Sequence, residues 1–136
     1  VVAVSLKKKG VTLGSGYNER VQKSDATAHG EISCLRNAGR RASYAGLTLY
    51  TTLAPCHMCT GAVLLFKIPR LVIGENANFV GDIPRLLSSG VEVRVLNDAA
   101  CIQLMKDFIR LEPQLWAEDI SDQSGQRSEG EFGGSL

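Results

Sequence analysis

Two short stretches carry residues whose types and spacing could do chemistry. Pro55-Cys56-His57-Met58-Cys59 holds two thiols separated by two residues, close enough to turn toward one tetrahedral metal, and His29 of His29-Gly30-Glu31 can supply a third ligand. Three protein ligands leave one position for water, which is the layout of a hydrolytic zinc centre and not of a closed structural one. Glu31, two residues from the histidine, could take a proton from that water and hand it to a leaving group. The same thiols also admit a dithiol redox pair, or a four-thiolate site completed by Cys34 and Cys101. A redox pair has no use for His29 or Glu31, and Cys34 and Cys101 form no second closely spaced pair. The hydrolytic zinc reading is therefore preferred, with Zn2+ as cofactor.

The composition bounds what such a centre could act on. A chain of 136 residues with 44% hydrophobic content fits one compact domain. Fifteen basic and 14 acidic residues leave a formal charge of +1, short of the broad basic face that tracks a phosphate backbone. The one tight basic cluster, Lys7-Lys8-Lys9, is expected at a solvated hairpin turn. A small neutral substrate is favoured over nucleic acid. No apolar run approaches the ~20 residues that span a bilayer, and no membrane association is expected. Four cysteines without a secretory leader suit metal binding in a reducing compartment, the cytoplasm or the nucleus.

Elements must then bring the two stretches together. Residues 1–6 and 11–16 read as two strands of a hairpin, with Gly10 in the turn. A polar loop follows over 17–26, where Asn18, taken by itself, reads as a turn residue. Residues 28–38 have helical periodicity, with Ile32 and Leu35 on the buried side and Gly39 as the stop. His29 and Glu31 then fall in the first helical turn and can converge only on something at the helix N-terminus. Gly30 between them lets its backbone N–H approach a ligand. Residues 47–53 read as a buried strand, followed by a helix that Pro55 opens and Pro69 ends, so both cysteines start a second helix. Residues 70–74 form a short strand, 75–81 a loop, 83–88 a short helix, and 91–96 an alternating strand at a sheet edge. Asp98 can cap a helix over 99–111 with Ile102, Leu104, Met105, Phe108 and Ile109 on its buried face. Pro113 opens a last helical segment, and 121–136 reads as a disordered tail. The pattern predicts a layered α/β domain over 1–120 with a mixed sheet.

The pairing of H-x-E with P-C-x-x-C is a known signature of zinc-dependent deaminases. Beyond it, residues 27–32, 49–62, 74–79 and 116–120 closely resemble the fungal-type cytosine deaminases, within the cytidine and deoxycytidylate deaminase superfamily. The resemblance implies a three-layer α/β/α fold on a five-stranded mixed sheet. It further implies a homodimeric zinc enzyme that hydrolyses free cytosine to uracil and ammonia in pyrimidine salvage. By that likeness His29, Cys56 and Cys59 bind zinc, and Glu31 shuttles protons for a zinc-bound hydroxide. Asn18 and the Gly30 N–H hold the carbonyl oxygen of the base, and Asp119 accepts from its ring N–H. Phe79 and Trp116 pack over the base, and Ile120 helps close the pocket. His57 stands where the signature assigns no ligand. Family members carry a helix ahead of the hairpin, whereas this sequence opens at the first strand, so one sheet face is expected to show apolar surface. Two alternatives remain open: a tRNA or other nucleic-acid adenosine or cytidine deaminase with the same signature, and a catalytically dead zinc-stabilised interaction module.

Overall fold

The computed structural model describes residues 2–122; of the expected tail, only its first two residues fall within them. Strands β1 (Ala3–Lys8) and β2 (Val11–Tyr17) form the predicted hairpin. β3 (Leu47–Leu53), β4 (Arg70–Glu75) and β5 (Glu92–Val95) complete a sheet in the order β2-β1-β3-β4-β5. β1 runs antiparallel to both neighbours, and β3, β4 and β5 are mutually parallel. The sheet is thus five-stranded and mixed, as the resemblance implied. The helices are α1 (Arg20–Lys23), α2 (Gly30–Ala38), α3 (His57–Leu65), α4 (Ile83–Ser88), α5 (Ala99–Leu111) and α6 (Pro113–Asp119). No helix of the described residues is long and apolar enough to cross a membrane.

Alternation along the strands decides the layers. Val4, Leu6, Leu47, Leu49, Leu71 and Ile73 point to one face and are buried. On that face α2 lies close against the hairpin, because β2 carries Gly14 and Gly16 where larger side chains would stand. A Cβ on Gly16 would come within 2.5 Å of the Cys34 nitrogen, and one on Gly14 within 2.7 Å of the Ala38 nitrogen. On the opposite face Gly74 admits α5, where a Cβ would meet Cys101 Sγ at 2.6 Å. Three layers result, with α2 and α5 seated where the sheet lacks a side chain.

Several local expectations are corrected. The hairpin turn is only Lys9-Gly10, both with positive φ (48° and 79°), the two-residue geometry that matches strand twist. Lys7 and Lys8 belong to β1, and the Lys7 ammonium sits 5.5 Å from the Tyr50 ring centroid, so the cluster is not a simple solvated tip. The supposed polar loop contains α1. β3 is buried on one side only, leaving Tyr50 40% exposed. The half-open face around it carries Ser5, Lys7, Thr48 and Thr52, so the surface expected to be apolar is largely polar. A groove beside α5 and α6 is lined by Val21, Phe108 and Leu115 over the buried Met105, together with Asn18, Arg20, Gln22 and Asp119. Along α2 the buried residues are Gly30, Glu31, Ser33, Cys34 and Leu35, with Ile32 only half-buried. Along α5 Leu104 is exposed and Met105 is the residue fully buried, because the helix meets the sheet along the line of Cys101 and Met105. Asp98 caps α5 as expected, accepting from the Cys101 N–H at 2.9 Å.

Since Gly16 faces α2 backbone rather than a flexible side chain, Gly16→Ala must push the helix away. A loss of about 1–3 kcal/mol in unfolding free energy is expected, measured by urea denaturation. An unchanged midpoint would show that this close approach is dispensable.

Candidate metal centre and adjoining cavity

β2, β3 and β4 run the same way, so their C-terminal ends share one edge of the sheet. The chain leaves β2 at Asn18, β3 toward Cys56, and β4 toward Phe79. Ligand crevices of α/β sheets lie outside such strand ends. His29 is the N-cap of α2 and Cys56 the N-cap of α3, so two helix N-termini meet there. Neither N-cap makes a side-chain capping bond, which leaves both side chains free to face one point.

At that point the ligand atoms of His29, Cys56 and Cys59 lie within 4.8 Å of one another. His29 Nδ1 and Cys56 Sγ are 3.5 Å apart, close to the ~3.6 Å edge that ordinary Zn–N and Zn–S bonds give a tetrahedron. Cys59 is fully buried beneath. Without metal, the Cys59 thiol bonded to Cys56 pulls the Cys56 pKa down to about 4, with His29 adding to the effect against burial. The same contact raises Cys59, and its bond to Cys56 raises His29. The three side chains are thus coupled through shared protons, and bound metal takes the place of those protons. One imidazole and two sulfurs with a fourth direction open suit zinc, so the donors fit this cofactor.

Glu31 stands beside the trio, 4% exposed, with its carboxyl pushed upward by burial. The Thr51 hydroxyl lies 3.4 Å from Glu31 Oε1 and donates to the Leu53 carbonyl at 3.0 Å. Asn18, His29, Gly30, Glu31, Cys56, Phe79, Trp116, Asp119 and Ile120 all line one cavity. The edge of one ring of the pair Phe79 and Trp116 meets the face of the other at 5.7 Å and 87°. Asp119 Oδ1 accepts from Asn18 Nδ2 at 2.7 Å and lies 3.8 Å from His29 Nε2. All ten residues predicted for the site are thereby brought to one place, although Asn18 and Asp119 stand 101 positions apart.

The other thiols and histidine are elsewhere. Cys34 is buried against the Gly14 carbonyl at 3.5 Å, and burial lifts its pKa to about 11. Cys101 packs at Gly74. His57 is 85% exposed and pairs with Asp82 at 2.8 Å. Sequence reasoning missed Val2, Leu53 and Ala54 in the cavity wall, apolar residues with no signal to mark them. It also missed Glu75, assigned to a loop but placed at the end of β4 and fully buried. Glu75 accepts from the Asn78 N–H at 3.0 Å and Nδ2 at 2.9 Å, and so braces the loop that presents Phe79.

A family model for the cytidine and deoxycytidylate deaminase zinc-binding region matches residues 1–75. The chain is 54% identical to the cytosine deaminase of Candida albicans over 112 residues, 81% of this chain and 75% of the relative. It is 48% identical to the tRNA-specific adenosine deaminase of Buchnera aphidicola subsp. Schizaphis graminum over 67 residues, 47% of this chain and 44% of the relative. Among solved structures, guanine deaminase from Nitrosomonas europaea matches with a TM-score of 0.64 at 25% identity, covering 77% of this chain and 71% of the other.

Removal of one donor should empty the metal centre. Metal analysis of Cys56→Ala is expected to show near-complete loss of zinc, with Cys34→Ala and Cys101→Ala retaining it. The reverse pattern would overturn the ligand set.

Proposed function

Because this chain belongs to the cytidine and deoxycytidylate deaminase family, we propose that it hydrolyses free cytosine to uracil and ammonia, as part of pyrimidine salvage. Its cofactor is zinc, held by His29, Cys56 and Cys59. When bound, the metal polarises a water and lowers its pKa toward neutrality. Glu31, whose proton affinity burial raises, would take one proton from the attacking water to the ring nitrogen, then carry the second proton of the same oxygen to the departing amine as the C–N bond breaks. The Gly30 N–H and Asn18 hold the carbonyl oxygen of the base, Phe79 and Trp116 cover its faces, and Ile120 narrows the mouth.

One observation carries the choice of a free base over a nucleic acid. Helix α6 forms a wall of the cavity and supplies Asp119, whose carboxylate is 14% exposed. A free base carries a hydrogen on the nitrogen where a nucleoside carries sugar, and that N–H can donate to Asp119 in a charge-assisted bond. A sugar there removes the donor and collides with α6. Sites built on such a bond reject the analogue lacking it by about 10⁴-fold. The curated relatives favour the same reading, since likeness to the cytosine deaminase spans 81% of the chain and likeness to the tRNA enzyme 47%.

We also propose a homodimer in a reducing compartment such as the cytoplasm. The four cysteines are all free thiols. Helix α3 buries Cys59, Thr60 and Val63 against the domain, yet its opposite side and end expose Met58 at 39%, Leu65 at 73% and Phe66 at 39%. A helix apolar on all sides is ordinarily covered on all sides. Leu65→Glu should shift the sedimentation coefficient to that of a monomer; a monomeric parent would remove the proposal.

Ammonia release from cytosine, cytidine and a stem-loop RNA, with and without chelator, tests the function. Cytosine alone should react, activity should vanish with chelator, and zinc should restore it. Glu31→Gln should keep its zinc and lose on the order of 10²-fold or more in turnover. RNA or cytidine processed as fast as cytosine would replace the free-base reading with the nucleic-acid or nucleoside one.

A further inference from the structure

Arg20, which the base-binding reading above does not use, opens α1 and is 10% exposed. All three guanidinium nitrogens are engaged. Nε donates to the Ala26 carbonyl at 3.1 Å, Nη1 reaches Asp119 Oδ1 at 3.5 Å, and Nη2 reaches Glu118 Oε1 at 3.2 Å. Its backbone N–H donates to Asn18 Oδ1 at 3.1 Å. That bond fixes the Asn18 amide so that Nδ2 points at Asp119. We propose that Arg20 is a positioning residue that latches α6 over the cavity and selects which oxygen of Asp119 is left for the base.

Helix α6 needs such a device. None of its residues is fully buried, and its N-terminus has no side-chain cap. Its apolar purchase comes from Trp116, which packs against the core and Phe79, and from Leu115 beside α5. Arg20 is itself tied to its own loop through Ala26, so its fork is a fixed anchor on the hairpin side of the cavity. Glu118 is 65% exposed, and its bond adds little; the Asp119 contact, shielded on both sides, matters more. The donors converge on Oδ1: Asn18 Nδ2, Arg20 Nη1 and, at 3.8 Å, His29 Nε2. Oδ2 makes no hydrogen bond among the described residues, and is the oxygen left for a ring N–H. A lysine at position 20 would present its donors from one atom and could not span Ala26, Asp119 and Glu118 together.

The inference rests on the cytosine reading for its effect on KM, but not for its effect on α6. Trp116, the sole tryptophan of the chain, lies on that helix, so its emission reports latch opening without substrate. Arg20→Ala is expected to red-shift the emission and increase acrylamide quenching, with zinc content unchanged. KM for cytosine should rise about 10-fold or more, the scale of a lost charge-assisted bond, with a smaller change in kcat. Arg20→Lys should behave like Arg20→Ala, because charge alone cannot restore the fork. Unchanged quenching and KM in Arg20→Ala, or full restoration by lysine, would overturn the latch. If Arg20→Ala does not fold, Arg20→Lys and Glu118→Gln decide it: increased quenching in the first and a smaller increase in the second support the latch, and parental values in both refute it. A parent chain inert toward cytosine would defeat the functional reading alone, since the quenching comparison would still stand or fall separately.

Discussion

Everything at this site depends on two helix N-termini meeting at one edge of the sheet. A helix start presents N–H groups without partners, and Ser, Thr, Asp or Asn usually satisfies one of them from the N-cap. Here α5 follows that rule through Asp98, but α2 and α3 do not. Their N-caps are His29 and Cys56, neither of which caps its own helix. Giving up a good cap costs about 0.5–2 kcal/mol per helix, and what the chain gains is a pair of metal donors on rigid elements. The helix dipoles add a positive potential where thiolates and hydroxide must be held. The hairpin glycines serve the same end, since α2 reaches this edge only because Gly14 and Gly16 let it lie on β2.

How much of this was legible follows from how far apart the interacting residues stand. The metal motif is local, and so is the logic by which each half of it starts a helix. The strands and the capped α5 could be read from alternation and from Asp98. Features decided at long range could not. Arg20 is 99 positions from Asp119, and an arginine in a polar loop carries no mark of what it will meet. Glu75 ends a strand in a stretch of Asn and Gly that reads as loop, and only the donors of Asn78 make its burial tolerable. Leu104 fits the helical stripe of α5 as well as Met105 does, and the position of Gly74 on the sheet, not periodicity, decides which of them is buried. For Asn18 and Asp119, resemblance to a family supplied what residue-by-residue reading left as a turn former and a solvated acid.

Three carboxylates near the cavity show how environment can divide labour among like groups. Asp119 and Glu75 are each held by several donors, Asp119 by Asn18 and Arg20, Glu75 by both nitrogens of Asn78. Carboxylates so held are fixed in direction by their donors, which suits the proposed part of Asp119 in orienting a ring N–H and lets Glu75 brace a loop. Glu31 is nearly as buried as Glu75; its own backbone N–H and the Cys59 thiol bond to it, and Thr51, whose hydroxyl donates at shorter range to Leu53, lies 3.4 Å away. Burial outweighs those bonds and raises its affinity for a proton. A group that must accept and release protons within one reaction is served by that balance between burial and donors. What sets Glu31 apart is less its own chemistry than the burial that outweighs the hydrogen bonds it receives.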